Sequence, residues 1–163
     1  MHNNTQPNNS LTDQYHALVE SSQLSFDHSQ QQAVSLLQEL YVALIAAKAH
    51  KNTVIKGVYL WGKVGRGKTF LMDLFVKSLT KSFQRKICRR QHFHHFMQDV
   101  HRQINEFTGK EEPLKYIAKQ FSQQYRVLCF DEFFVSDIGD AMLLGNLLQY
   151  LFEHNVIVVC TSN

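Results

Sequence analysis

Residues 57–69 read Gly57-Val58-Tyr59-Leu60-Trp61-Gly62-Lys63-Val64-Gly65-Arg66-Gly67-Lys68-Thr69. A short run of β-forming residues leads into a glycine-rich loop of the form G-x-x-x-x-G-K-T, and apolar residues at helical spacing follow at once. A strand before such a loop and a helix after it are the context in which the loop binds phosphate. The sequence therefore predicts a nucleotide-binding P-loop here, in preference to a glycine-rich turn that binds nothing.

Each part of this loop has an expected role. The glycines allow a tight turn whose backbone N–H groups point inward, where an anion also meets the positive end of the following helix. Lys68 is expected to reach the β- and γ-phosphates of ATP, and the Thr69 hydroxyl to bind Mg²⁺. The predicted nucleotide-binding residues are Gly62, Lys63, Val64, Gly65, Arg66, Gly67, Lys68, Thr69 and Phe70.

The bulk composition narrows the class of protein. With 163 residues, of which 44% are hydrophobic and 19% charged, the chain is typical of one globular domain. No apolar run approaches the roughly 20 residues of a membrane span, and residues 1–10 show no secretory or transit signal. Three cysteines without metal-ligand spacing favour a reducing compartment, so we expect a cytoplasmic protein.

The net charge of +3 comes partly from basic residues concentrated between positions 77 and 90. Such a cluster can face nucleic acid or an acidic partner. A solvated helix end and loop is the simpler interpretation, and we favour it. The residues are Lys77, Lys81, Arg85, Lys86, Arg89 and Arg90.

Helical and strand patterns alternate along the chain. Asp27, followed by Gln30, is a variant of the capping box, and the apolar face after it predicts a helix ending near His50. That face comprises Ala33, Leu36, Leu37, Leu40, Tyr41, Leu44 and Ile45. Strands are predicted at 57–61, 88–96, 126–130 and 156–160, and helices after the P-loop and at 97–107, 114–121 and 138–153. Strands separated by helices imply right-handed crossovers and a parallel sheet with helices on both faces.

The expected organisation has three parts. Residues 1–12 are predicted to be a disordered tail, and residues 13–56 a helical segment. Residues 57–163 are predicted to be an α/β P-loop ATPase core. In the helix at 138–153, Ser136 and Asp137 are interpreted as caps rather than metal ligands, and Met142 and Phe152 are placed on its apolar side.

Two strand ends carry polar residues suited to nucleotide chemistry. Apolar residues 127–130 precede Asp131 and Glu132, a Walker B pattern at the carboxyl end of a buried strand. Asp131 is expected to hold Mg²⁺ directly or through water, and Glu132 to orient and deprotonate the attacking water. The last strand runs into Thr161-Ser162-Asn163, and Asn163 is predicted to bind the γ-phosphate or the attacking water.

The histidines leave several roles open. Imidazole is a common zinc ligand, but no cysteine or acid completes a familiar metal spacing around them. Packing or hydrogen bonding is the favoured role, ahead of contact with a partner or a pore. The residues concerned are His92, His94, His95 and His101, of which the first two are expected on one strand face.

Several segments together resemble one protein family. They are residues 62–69 with Arg66 inside the loop, 71–75, 92–97 and 130–138, with Leu18, Val19, Asp27 and Gln30 ahead of them. In these segments the chain resembles the ZapE-type cell-division ATPases, bacterial AAA+ proteins with mitochondrial relatives of the Lace type. The similarity extends over residues 15–163. Lys63 departs from the family pattern, because a glycine is expected at that position of the loop.

The resemblance implies a P-loop NTPase fold of the AAA+-like kind, a three-layer parallel sheet, and an ATPase that uses ATP and Mg²⁺. By the same resemblance Asn163 is the sensor-1 residue. The implied partner is a tubulin-like filament protein of the division ring, whose filaments the family destabilises or remodels. Association with the membrane surface is then expected only through that ring, and the family forms homo-oligomeric rings of about six subunits.

The family pattern continues beyond the similarity seen here. The expected fold is therefore truncated after the sensor-1 strand and lacks the arginine finger, a fifth strand and the helical lid. Because an arginine finger is worth about 10³–10⁵ in rate in related hydrolases, we expect nucleotide binding with weak hydrolysis.

Three functions remain open from the sequence. The first is a Mg-ATPase that acts on a protein partner. The second is a nucleotide-gated binding module with little hydrolysis of its own. The third is a DNA-associated P-loop loader, which the basic cluster suggests, although nucleic acid is the less favoured partner.

Overall fold

The computed structural model describes residues 10–50, 53–63 and 67–163. A four-stranded parallel sheet with strand order β1-β4-β3-β2 forms its centre. The strands are β1 Val58–Trp61, β2 Cys88–His92, β3 Val127–Asp131 and β4 Ile157–Ser162. The helices are α1 Leu11–Glu20, α2 His28–Ala46, α3 Lys68–Ser82, α4 Phe93–Glu106, α5 Pro113–Gln124 and α6 Ile138–Glu153, with a 3₁₀ turn at Ala47–Ala49.

Helices cover both faces of the sheet, as predicted. Alternate residues of β3 serve the two faces, because successive side chains of a strand point to opposite sides. Val127 and Cys129 pack with α1, α2 and α3. Leu128 and Phe130 pack with α4, α5 and α6. All four are essentially inaccessible to solvent, which explains why β3 reads as an uninterrupted apolar run.

Helix α1 begins inside the stretch predicted to be a disordered tail. The Ser10 hydroxyl accepts a hydrogen bond from the Asp13 N–H (3.0 Å) and caps the helix. Leu11 is buried among the residues of α2 and α3, so burial of its side chain stabilises the first turn. The prediction of disorder is therefore wrong for Leu11 and Thr12. Residues 1–9 lie outside the described residues.

The predicted cap of α2 is confirmed. The Asp27 carboxylate accepts from the N–H groups of Ser29 (2.8 Å) and Gln30 (3.3 Å). The buried face, however, is rotated relative to the prediction. Val34 is buried, whereas Leu36 remains 48% exposed, because the helix packs on α1 and α3 through one side only.

Strand β2 is shorter than predicted. It ends at His92, and the chain turns directly into α4, so residues 93–96 are helical and their assignment to a strand was wrong. Phe93, Phe96 and Met97 follow a helical spacing and are buried. The Phe96 ring lies 4.5 Å from the Phe130 ring, centroid to centroid, which anchors α4 on the sheet.

Helix α6 and strand β4 combine confirmed and corrected details. Asp137 caps α6 by accepting from the Asp140 N–H (3.0 Å), as predicted. Met142 and Phe152 are exposed, so their placement on the apolar side of the helix was wrong. Strand β4 continues to Ser162, because its last residues pair with the end of β1, where Ser162 lies opposite Trp61.

At the end of β1, the Trp61 side chain is 78% exposed. It immediately precedes the P-loop in the sequence.

Within the part of the chain that the structure describes, no helix combines the length and the apolar character that crossing a membrane requires.

The three cysteines are buried, where cysteine behaves as a small hydrophobic residue. The sulfur atoms of Cys88 and Cys129 are 3.3 Å apart on neighbouring strands. The hydrogen bond with Cys88, together with burial, raises the pKa of Cys129, and burial raises the pKa of Cys160 to about 12. Because all three side chains are buried, they are shielded from reagents in the folded chain.

We expect iodoacetamide at about pH 8 to leave the native protein unmodified and to alkylate all three cysteines once denaturant is added. Intact-mass spectrometry measures this directly. Rapid labelling of Cys160 without denaturant would contradict the burial of β4.

Candidate functional site

The carboxyl ends of β1, β3 and β4 meet at one edge of the sheet, next to the N-terminus of α3. A cavity of about 620 Å³ opens there. It is lined by Gly67, Lys68, Thr69, Phe70, Asp73, Arg90, His92, Asp131, Glu132, Thr161, Ser162 and Asn163. The structure thus brings together residues predicted from three separate sequence patterns. Open α/β sheets place their ligands at this position.

The two ends of the P-loop are held in defined conformations. Gly62 and Gly67 both have positive φ angles, of +151° and +74°. The Lys68 ammonium group donates to the carbonyl oxygens of Gly62 (2.6 Å) and Lys63 (3.1 Å), which draws the loop ends together. Val64, Gly65 and Arg66, also predicted to bind nucleotide, lie outside the described residues.

Helix α3 begins at Lys68, and no described side chain caps its first N–H groups. These donors and the helix dipole favour an anion at the mouth of the cavity. Gly67 precedes them with left-handed backbone, which L residues other than glycine adopt only with strain. A Cβ added at Gly67 would lie 2.6 Å from Nε2 of Gln30, so the Gln30 amide would also have to move.

We expect Gly67→Ala to destabilise the protein by about 1–3 kcal/mol, mainly because its φ of +74° is unfavourable for alanine. Thermal unfolding of the two proteins measures the difference.

The matched control is Gly145→Ala within α6, where an added Cβ meets nothing within 4 Å. This variant should gain about 1 kcal/mol of helix propensity instead. Equal effects of the two substitutions would contradict the strained conformation at Gly67.

Asp131 ends β3 and is held by an arginine from the neighbouring strand. Arg90 of β2 donates from Nε to Oδ2 of Asp131 (2.7 Å) and from Nη2 to Oδ1 (3.1 Å), a bidentate pair. Its Nη1 donates to Asp73 of α3, and Nη2 lies 3.5 Å from the carbonyl oxygen of Thr69. One guanidinium group therefore connects β2, β3 and α3 beside the cavity.

Burial and charge act in opposite directions on Arg90. Partial burial disfavours the charged guanidinium, but the hydrogen bonds and negative charges of Asp131 and Asp73 outweigh it. The pKa of Arg90 is raised above its ordinary value as a result. Asp131 is the more enclosed of the two carboxylates, since its side chain is 13% exposed and that of Asp73 is 50% exposed.

Glu132 follows Asp131 with a φ of +54°, an unusual conformation for this residue type. The turn is fixed by a hydrogen bond from the Phe133 N–H to the Thr161 carbonyl oxygen (2.8 Å). The Glu132 carboxylate is largely exposed and lies 3.9 Å from Nδ1 of His92. A solvent-accessible carboxylate on the cavity wall is chemically able to accept a proton from water.

Asn163 lines the same cavity as Asp131 and Glu132. The preceding Ser162 is buried, and its hydroxyl is 2.5 Å from the Tyr59 hydroxyl of β1. This contact joins the end of β4 to β1. The structure therefore places Asn163 beside the cavity, and its predicted role towards phosphate or water stays a prediction.

The geometry of the described residues gives no support for metal binding by the histidines. In the described ranges, no three His, Cys, Asp or Glu side chains are grouped so that they could hold a metal ion. His94 belongs to α4 rather than to the strand of His92, which corrects the predicted shared face. His101 pairs with Asp140 (2.7 Å), and this contact joins α4 to the start of α6.

Two residues of the basic cluster are engaged in ion pairs within the chain. Arg89 pairs with Asp99 (2.8 Å), and Arg90 pairs with Asp131 and Asp73. Neither arginine is available as a free cation for a nucleic-acid backbone. Sequence reasoning missed the role of Arg90, because its partner Asp131 lies 41 residues away and no local pattern connects them.

The parallel sheet, the P-loop ends and the acidic pair at the carboxyl edge define the class of P-loop NTPases with an α/β fold, as predicted. The solved structures that share this fold include DnaI, the DnaC helicase loader and DnaA. DnaI has a TM-score of 0.60 at 22% identity, covering 88% of this chain and 70% of its own. The DnaC helicase loader has a TM-score of 0.61 at 16% sequence identity, and the match covers 85% of this chain and 72% of the loader. AMPPCP-bound DnaA from Aquifex aeolicus has a TM-score of 0.61 at 14% sequence identity, and the match covers 97% of this chain and 42% of DnaA.

The family follows from the sequence comparisons. The model of the AFG1-like ATPase family matches residues 9–163, and this chain belongs to that family. Cell division protein ZapE of Escherichia coli K12 is 42% identical over an alignment of 173 positions, which covers 93% of this chain and 45% of ZapE. Lactation elevated protein 1 homolog B of Danio rerio is 42% identical over an alignment of 119 positions, which covers 66% of this chain and 23% of that protein. The predicted family is thus confirmed. The chain spans less than half the length of these relatives.

Proposed function

We propose that this chain is the nucleotide-binding part of an ATPase that binds Mg-ATP and hydrolyses it. One observation carries the proposal. Lys68 and Thr69 at the start of α3 line the same cavity as Asp131, Glu132 and Asn163 at the strand ends. These side chains supply the phosphate, metal and water contacts that hydrolysis of a γ-phosphate needs.

The side chains present fit a triphosphate and magnesium. The uncapped start of α3 offers N–H donors to phosphate oxygens. The Thr69 hydroxyl and the Asp131 carboxylate are oxygen donors on one cavity, and Mg²⁺ prefers oxygen donors. Mg²⁺ held there would neutralise the charge that develops on the phosphates during transfer.

Each residue then has one task. Lys68 exchanges its bonds to the loop carbonyl oxygens for stronger, charge-assisted bonds to phosphate oxygens. Glu132 orients a water molecule towards the γ-phosphate and accepts its proton. The Asn163 amide donates to the γ-phosphate or holds that water. The left-handed turn at Glu132 keeps its carboxylate beside the cavity, apart from Asp131.

Substitution of Lys68 and of Glu132 separates binding from hydrolysis. Lys68→Ala should weaken binding of a fluorescent ATP analogue at least about tenfold, because a charge-assisted phosphate contact is lost. Glu132→Gln should retain binding and lose about 10²–10⁴ of any turnover, because the proton acceptor is removed. Equilibrium fluorescence titration with Mg²⁺ and a phosphate-release assay measure the two effects.

The matched control is Lys77→Ala, an exposed lysine on the same helix α3 that lies outside the cavity. It should bind the analogue like the unmodified chain. Equal binding by the Lys68→Ala protein would reject the proposed site. Binding without any turnover by the unmodified chain would favour a nucleotide-gated binding module over an ATPase.

For the cellular role, we propose that the protein acts in cell division on filaments of a tubulin-like ring protein, in the cytoplasm and as a homo-oligomer. The similarity to a relative named a cell division protein supports the first part. The filament partner and the ring of subunits come from the family resemblance.

Co-sedimentation with GTP-assembled filaments of the tubulin-like protein tests this role. With Mg-ATP, the protein should pellet with the filaments or reduce the amount of filament pelleted, and Glu132→Gln should bind without reducing it. An unchanged supernatant and pellet in every condition would reject the filament partner while leaving the nucleotide site untouched.

A further inference from the structure

The strongest charged contact at the cavity involves a residue that the proposed reaction does not use. Arg90 makes two hydrogen bonds to Asp131 and a third to Asp73, so its guanidinium lies between two carboxylates. The Arg90 side chain is only 21% exposed. Its planar fork therefore occupies both oxygens of the carboxylate proposed to hold magnesium.

The local charge balance depends on this arginine. Asp73, Asp131 and Glu132 place three carboxylates around the cavity. Among the described residues, the other lysine or arginine that lines it is Lys68, whose ammonium group is directed at the carbonyl oxygens of the loop. Without Arg90, Asp131 would be a largely enclosed carboxylate with no cation within contact distance among the described residues. An enclosed charge that loses its partner is costly.

The contacts also allow the guanidinium to move without losing every partner. Asp73 lies one helical turn after Thr69 on α3, and both already contact Arg90. If Mg²⁺ approaches Asp131, the two cations repel each other at short range. Arg90 can then shift towards Asp73 and the Thr69 carbonyl oxygen, which leaves the Asp131 oxygens to the metal or its water ligands.

We propose that Arg90 is a positioning residue that serves as the counter-cation of Asp131 in the nucleotide-free protein and is displaced when Mg²⁺ arrives with the nucleotide. This inference rests on the proposed Mg-ATP site. Binding of Mg²⁺ then depends on the nucleotide. Mg²⁺ alone has to compete with the Arg90 guanidinium for Asp131, whereas Mg²⁺ carried by a triphosphate brings additional phosphate contacts.

The test uses Arg90→Met, which removes the charge and keeps a long apolar stem. Thermal unfolding is followed without nucleotide while Mg²⁺ is raised through the millimolar range at constant ionic strength. The unmodified protein should show no response to Mg²⁺. Arg90→Met should unfold at a lower temperature without the metal and recover as Mg²⁺ is added, because the metal replaces the missing cation.

Two variants control for a merely structural effect. Arg89→Met removes the neighbouring arginine of the same strand, whose ion pair with Asp99 lies outside the cavity, and should show no Mg²⁺ response. Arg90→Met combined with Asp131→Asn removes both charges, so it should fold without metal and also ignore Mg²⁺. If Arg90→Met fails to fold alone but the double variant folds, the counter-cation role is supported.

A second readout uses the fluorescent ATP analogue. The Mg²⁺ concentration for half-maximal binding should be at least about tenfold lower for Arg90→Met than for the unmodified protein, because the competing cation is gone. An unchanged Mg²⁺ requirement, or an unmodified protein stabilised by Mg²⁺ alone as much as the variant, overturns the inference. Failure of the unmodified protein to bind the analogue rejects the proposed function instead, and the metal-only unfolding experiment still decides on Arg90.

Discussion

The parallel pairing of β3 with β2 and β4 is the constraint on which the site depends. Because all strands run in one direction, their carboxyl ends meet at one edge, and no residue has to be carried there by a long loop. The register sets Asp131 opposite His92 and Phe130 opposite Cys160. A shift of β3 by one residue would turn Val127 and Cys129 to the other face and disrupt both cores.

The same pairing explains why the helices before the P-loop matter to the site. Helices α1 and α2 bury their apolar residues against α3, and α3 begins at Lys68 within the P-loop motif. Gln30, near the start of α2, lies against Gly67. The position of the loop end is thus supported from outside the sheet, by packing that a bare strand-loop-helix unit would lack.

Much of this arrangement could be predicted from the sequence, because its signals are local. The P-loop, the acidic pair at 131–132 and the cap at Asp27 are each encoded within a few neighbouring residues, and the alternation of strands and helices predicts the parallel sheet. The end of β2 was misjudged because Phe93 and Phe96 suit a buried strand and a buried helix equally well. The ion pair of Arg90 with Asp131 depends on strand order, which no local pattern contains.

Trp61 gives this arrangement an optical property. It is the only tryptophan of the chain, it stands at the end of β1, and its indole is largely open to solvent. The protein's tryptophan emission therefore comes from a single solvent-exposed indole beside the P-loop. A shift of its emission spectrum on adding a ligand would report on that loop without an attached dye.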